Sequence, residues 1–373
     1  MTLASYHVHS AAMPSLACFV SPHGYGHAAR ACAVMERLAE RLADLRFEVF
    51  STVPRWFFVD SLGDRCGYHE LACDLGLVQR SSLEEDIPAT VAALDRLLPF
   101  VPDSLDRLAA RLDALGCAAV LCDISPLGIA VGRRAGLPVV LVESFTWGWI
   151  YRHHRRSTPA LRRHADRLDE LLAEVDLRIQ AEPTCEVVLG APGVGPIARR
   201  VRSPAATVRE RLGVDPDERL VLVSMGGVRW RYDGLGALGG ARGTVFVVPG
   251  ASEVVRREGA VLRLPHRAPL HHPDLVCAAD LVIGKLGYST VAEAVHAGCR
   301  FLYLRRPEFP ESPVLEGFVR RRMTSALLDQ ASFDAGAWVS PAARLLAEKT
   351  PPRTAPPAAG AAAAADLILE RCF

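Results

Sequence analysis

Short apolar runs rich in β-formers alternate with helical patterns along the whole chain, and this alternation limits the fold more than any other feature. "LACFVS", "FEVFST", "AVLCD", "PVVLVES" and "LRIQ" fall in the first half; "RLVLVSM", "TVFVVPG", "AVLRL", "DLVIG" and "RFLYLRR" fall in the second. Continuous apolar runs of this kind are strands buried on both faces, so the alternation predicts parallel sheets wound by helices. The two series are separated by "LGAPGVGPIARRVRSP", Leu189 to Pro204. That Gly/Pro-rich stretch can continue neither a helix nor a central strand and reads as a hinge. A chain of 373 residues is well sized for two α/β domains. We expect the first over residues 1–195, the second over 196–350, and a Pro/Ala-rich linker with a terminal helix over 351–373, the helix ordered from about Ala358.

Half of the residues are hydrophobic and the formal net charge is +1, which gives no electrostatic case for general nucleic-acid binding. The ten cysteines are scattered without a C-x-x-C pair, which reads as reduced thiols in a cytosol rather than a zinc site. The leader lacks a basic region and an apolar core of secretory length, and no segment reaches the length of a membrane span. Met13 stands just before the first strand, so the first dozen residues read as an extension from an early start.

Between the first strand and its helix lies "SPHGYGH", Ser21 to His27. Pro22 ends the strand, while Gly24 and Gly26 allow a sharp bend and close backbone approach to a ligand. The next helix is expected to bury Val34, Leu38, Leu42 and Leu45. His23 and His27 thus stand at a strand's carboxyl end, where open α/β sheets bind ligands; the plain alternative is a tight turn with surface histidines. The third glycine of a dinucleotide fingerprint is missing.

In the second half, "VIGKLGYSTVAEAV" ends a strand near Ile283, turns through Lys285 and Gly287, and opens a helix at Ser289 or Thr290. Helix-start amides with an adjacent lysine suit a diphosphate. Thr290 and Glu293 also fit a capping box, which needs no ligand. "VSMGGVRW" puts Gly226 and Gly227 at another strand end as a second phosphate candidate, where Val228, Arg229 and Trp230 would either crowd a phosphate or supply an extra cation.

Together, "HGYGHAAR", "DISPLGIAVGRRAGLPVVLVESFTWGWIY", "PGVGPIARR" and "VIGKLGYSTVAEAVHAGCRFLYLRR" resemble the GT-B nucleotide-sugar glycosyltransferases. The resemblance is greatest to the glycosyltransferase-like domain that precedes the kinase in plant L-arabinokinases, and it spans Leu16 to about Arg322. No kinase part is matched, so sugar phosphorylation is not implied. It extends more distantly to the N-acetylglucosaminyltransferase of the peptidoglycan lipid intermediate and to family 1 transferases. It implies two Rossmann-like domains facing a cleft, acceptor bound by the first and nucleotide sugar by the second, with no cofactor and no metal. It also implies that His27 is the general base, that Asp123 orients it, and that Glu293 holds the donor ribose. Gly287, Ser289 and Thr290 match the diphosphate turn, with Lys285 where relatives often carry histidine. "RRPEFPESPVL" replaces the usual sugar-reading pair, leaving Glu308 and Glu311 as candidates. Asp123 reads equally as an N-cap of "SPLGIAVG".

Phe145, Trp147, Trp149 and Tyr151 follow the strand ending near Glu143, and their faces suit a sugar or an apolar acceptor; Trp149 reads better as packed beneath the next helix. Arg152, Arg155, Arg156, Arg162, Arg163 and Arg167 form a solvated basic face that would also attract an anionic acceptor or a membrane surface. The expected activity is metal-independent, inverting transfer of a hexosyl or N-acetylhexosaminyl group, from a UDP-type donor to a small-molecule, lipid-linked or glycan acceptor. The expected setting is the cytoplasm or the inner membrane surface. An epimerase or hydrolase on the same fold, and a non-catalytic nucleotide-sugar-binding module, are the competing readings.

Overall fold

A computed structural model describes residues 14–81, 84–226, 230, 232–267, 270–348 and 360–373. Two seven-stranded sheets account for every apolar run named above. The first has the order Cys66–Glu70, Arg46–Ser51, Ser15–Val20, Cys117–Asp123, Val139–Glu143, Leu177–Ala181, Gly193–Val194, and all its pairings are parallel. The second runs Arg256–Glu258, Val261–Leu264, Thr244–Pro249, Arg219–Ser224, Leu281–Lys285, Arg300–Leu304, Ser325–Leu327, and its Arg256–Glu258 edge is antiparallel. Helices cover both faces of each sheet, giving a doubly wound α/β architecture in each half of the chain.

The strand order fixes where ligands can sit. In the first sheet the order reverses between Ser15–Val20 and Cys117–Asp123, and in the second between Arg219–Ser224 and Leu281–Lys285. At such a switch point the flanking helices depart to opposite faces, opening a crevice beyond the carboxyl ends of the strands. The histidine turn belongs to the first crevice and the lysine–glycine turn to the second.

Some details depart from the sequence expectation. The helix after the histidine turn spans Tyr25–Arg41, so His27 lies in its first turn. Val34 and Leu38 are buried on it, but Leu42 is its C-cap and Leu45 is buried outside it, in the turn to the next strand. Gly193–Val194, within the hinge stretch, adds to the sheet edge, where its single neighbour leaves room for the prolines around it. The strands Cys66–Glu70 and Ser325–Leu327 had no apolar signature because edge strands keep polar residues toward water. The terminal helix Gly360–Cys372 packs on the helix Tyr25–Arg41 and buries Ala361, Ala364, Ala365 and Ile368 in the first half's core. Loss of the Ile368 side chain there would cost about 2–5 kcal/mol. No disulfide joins any of the ten cysteines, all of which are among the described residues. No helix among the described residues is long and apolar enough to cross a membrane. The first thirteen residues, Ala358, Gly227, Val228 and Arg229 lie outside the described residues.

Candidate active site

The two crevices join in one cavity of about 950 Å³, lined from both halves. On the first wall, Gly24 takes φ +77°, a conformation that favours glycine, and caps the helix that carries His27 inward. His27 Nδ1 lies 2.7 Å from Asp123 Oδ1, at the end of its strand. Both are buried, at 7% and 1% exposure. Asp123 is not an N-cap: Ser125 caps the following helix by accepting from Gly128 N, which leaves the carboxylate free for the histidine.

The carboxylate has a second partner that the sequence reading missed. Arg30, one helical turn past His27, reaches Asp123 through Nε to Oδ2 at 2.8 Å and Nη2 to Oδ1 at 2.7 Å, and Ser144 Oγ through Nη1 at 3.1 Å. Burial opposes ionisation of Asp123, yet Arg30 and His27 outweigh it and hold the carboxyl below its usual range. Burial pushes His27 down, Asp123 pulls it up, and the nearby Arg30 cation pushes it down again, so the imidazole stays neutral at pH 7. With Nδ1–H donated to Asp123, Nε2 is the nitrogen left for a substrate.

Phe145 and Trp147 flank this pair, with ring centroids 5.7 and 6.2 Å from the His27 ring. Trp147 meets His23 edge-on and donates from Nε1 to Asp74 Oδ2 at 3.0 Å. Asp74, also missed, accepts from Ser21 Oγ, and its burial pushes its pKa up to about 7. Burial, with His27 next, drives His23 down to about 3. Trp149 is buried and stacks on His153, away from the cavity. Three members of the basic run are paired: Arg152 with Asp166 and Asp169 nearby, and Arg155 with Glu308 and Arg156 with Glu85 in distant segments.

On the opposite wall Lys285 is the last residue of its strand, and Gly287 is the N-cap of the helix Tyr288–Ala297. Ser289 and Thr290 are in its first turn and line the cavity, and Gly26 of the histidine turn faces Ser289 Oγ so closely that a Cβ there would lie 3.6 Å away. Gly226 has φ +74° and lies against the Lys285 side chain. Trp230 does not crowd the cavity; it packs on Phe333.

The capping-box alternative for Glu293 does not hold, because the helix begins at Tyr288 and the carboxylate points elsewhere. Glu293 Oε2 lies 2.6 Å from His272 Nδ1 and Oε1 lies 3.3 Å from Arg199 Nη2. Burial opposes its charge, but His272 and Arg199 hold its pKa at about 2. His272 in turn meets Ser224 Oγ at 2.9 Å, tying the helix to the neighbouring strand end.

Glu311 lines the cavity, whereas Glu308 does not; it lies 2.7 Å from Arg155, and that ion pair bridges the halves outside the cavity. Among the described residues no cluster of three or more His, Cys, Asp or Glu is placed to hold a metal ion. Arg30, Asp74 and Arg199 were legible only as charged residues, since their partners lie 93, 73 and 94 positions away.

No protein-family model matches the chain. It is 27% identical over 320 residues to L-arabinokinase of Arabidopsis thaliana, a match covering 81% of this chain but 29% of that protein. Among solved structures it is similar to Arabidopsis thaliana UGT89C1 complexed with quercetin, at TM-score 0.64 and 16% identity, covering 97% of this chain and 100% of that one. The same protein complexed with UDP aligns at TM-score 0.62 and 16% identity, over 96% and 100% of the two chains. The calicheamicin glycosyltransferase CalG4 aligns at TM-score 0.62 and 16% identity, over 96% and 98%. The chain has the GT-B fold of these glycosyltransferases, two Rossmann-like halves facing a cleft.

Proposed function

We propose that the chain is an inverting glycosyltransferase that moves a sugar from a uridine diphosphate donor to an acceptor hydroxyl. One observation carries this reading: a buried His27–Asp123 pair on one wall of a two-walled cavity, opposite a helix start and a lysine that has no ion pair among the described residues. A hydroxyl is a weak nucleophile, and a neutral imidazole held by a carboxylate is suited to take its proton as it attacks. The proton passes to His27 Nε2. The acceptor oxygen forms its bond to the anomeric carbon from the face opposite the diphosphate, and the bond from that carbon to the phosphate oxygen breaks with its electron pair. The first-turn amides of Tyr288–Ala297 and the Lys285 ammonium stabilise the departing charge, which gives the donor cations without a metal. Glu293 holds the ribose, Glu311 meets the sugar, and His23, Phe145 and Trp147 form the acceptor side.

The donor assignment is tested by calorimetry across nucleoside diphosphates. The transfer assignment is tested by offering labelled nucleotide sugars to a cell extract with wild type and His27→Ala. The variant should bind nucleotide normally and lose about 10² to 10⁴ fold in transfer. Undiminished transfer in both His27→Ala and His23→Ala would end the histidine-base mechanism. A non-catalytic nucleotide-sugar-binding module is the second reading, favoured by Arg30, which shares the carboxylate that a catalytic histidine would otherwise hold alone. Tight nucleotide binding without turnover on any acceptor would decide for it.

A further inference from the structure

Arg306 follows the strand Arg300–Leu304, whose last residue is in register with Lys285. Its side chain is 11% exposed and lines the cavity, yet among the described residues its guanidinium makes no hydrogen bond, and its Nε is buried without a partner. Its Nη1 is 3.6 Å from Glu311 Oε1, too far for a hydrogen bond, while Phe309 lies under its plane. Glu311 is 6% exposed, and its other oxygen, Oε2, is also buried without a partner. Glu85, a further anion near Arg306, is engaged by Arg156 at 3.3 Å. Lys285 likewise has no ion pair or hydrogen bond from its ammonium among the described residues; burial, then Arg306, lowers its pKa to about 8.

Buried polar groups are nearly always satisfied, and a desolvated guanidinium without acceptors is costly. Two such groups, with the Lys285 ammonium on the same stretch of wall, describe a site completed by a ligand. Two cations face Glu311, while Glu85 is held by Arg156, and the positive excess suits an anionic ligand. Lys285, at the diphosphate turn, is accounted for by the leaving group; Arg306 is not. Arg306 lies beyond Leu304, the strand partner of Lys285, and lines the cavity beside Glu311, so it stands past the diphosphate turn on the stretch of wall that a transferred sugar would meet.

We infer that the donor sugar is acidic: its carboxylate is taken by the planar fork of Arg306, and a neighbouring sugar hydroxyl donates to Glu311. This deepens the proposed sugar transfer and rests on it.

Calorimetry on the full chain with UDP, UDP-glucose and UDP-glucuronate tests it, using wild type, Arg306→Gln and Arg306→Lys, with far-UV circular dichroism to confirm folding. Wild type should bind UDP-glucuronate at least about tenfold tighter than UDP-glucose, the worth of one charge-assisted pair. Arg306→Gln should bring that preference below about twofold while UDP itself weakens less than about threefold, and Arg306→Lys, which keeps charge but loses the fork, should fall between. Equal affinity of wild type for the two sugars overturns the inference and needs no variant. So does an Arg306→Gln protein that loses UDP as strongly as UDP-glucuronate, which would assign Arg306 to the diphosphate. Binding of free glucuronate to the UDP-saturated wild type, lost in Arg306→Gln, would move the acidic group to the acceptor and overturn the donor assignment. Absence of UDP binding altogether would instead bring down the transferase reading, and this inference with it.

Discussion

The two walls of the cavity treat their charges in opposite ways. On the histidine wall every ionised group has a protein partner: Asp123 holds His27 and the Arg30 fork, and Asp74 is held by Trp147 and Ser21. On the opposite wall, among the described residues, the Lys285 ammonium, the Arg306 guanidinium and one oxygen of Glu311 make no hydrogen bond, and Arg306 meets Glu311 only at 3.6 Å, although Glu293 nearby is fully engaged. A wall that is complete without substrate is organised in advance and does not reorganise during reaction. A wall left incomplete costs stability in the free protein and regains it on binding an anion. Under the proposed function the first wall serves the chemistry and the second the capture of the donor.

The sharpest way to break this contrast is to remove one group from each wall. Asp123→Ala strands a buried guanidinium beside a buried imidazole and should cost about 3–5 kcal/mol in denaturant unfolding. Lys285→Met removes a buried charge that has no ion pair or hydrogen bond among the described residues, so the free protein should be as stable as wild type or more so. Nucleotide affinity in Lys285→Met should nonetheless fall about tenfold to a hundredfold, the worth of a hydrogen bond to a charged group. Equal losses of stability from both walls would show that the lysine wall is structural.

Arg30 gives a finer test within the histidine wall. Burial first, and then the Arg30 cation, keep the His27 pKa low against the pull of Asp123, so under the proposed mechanism the imidazole stays deprotonated and transfer stays active below the ordinary histidine pKa of about 6.5. In Arg30→Gln that push is gone and the His27 pKa rises, so the acid limb of the pH–rate profile should move to higher pH. An acid limb at the same pH in variant and wild type would show that Arg30 has no hold on the base.

Elements with local signatures were legible in the sequence. The apolar runs became strands, and the glycine turns became the two crevices, because burial on both faces leaves a mark on a few consecutive residues and the positive φ of Gly24 and Gly226 calls for glycine. Pairings were not legible in that way. Glu293 fitted a local capping box, but its carboxylate found Arg199 and His272 in other segments. Glu308 and Glu311 stand three residues apart and read alike, yet one faces the cavity and the other Arg155, a difference set by how the halves meet. Asp74 sits in "LACDLG" with nothing nearby to announce a buried carboxyl.

That hidden carboxyl makes the smallest and most specific prediction. Burial raises Asp74 to about 7 in the folded protein, against about 3.9 for a free aspartate. A folded pKa above the unfolded one means that the folded state holds its proton longer. The Asp74 contribution to stability is therefore full below about pH 4, declines as pH rises, and is lost once pH passes about 7. His23, lowered to about 3 by burial, acts in the opposite sense: its contribution is full above the ordinary histidine pKa and is lost as pH falls toward 3. In wild type the two slopes oppose each other between about pH 4 and 6.5. Asp74→Asn cannot ionise and still offers an oxygen to Trp147 Nε1, so only the histidine slope remains. Its Tm should rise more steeply than that of wild type from pH 5 to 7 and run parallel above that. Parallel curves through the whole range would mean that Asp74 is already ionised at pH 5, and would place water within reach of it on the wall that otherwise needs none.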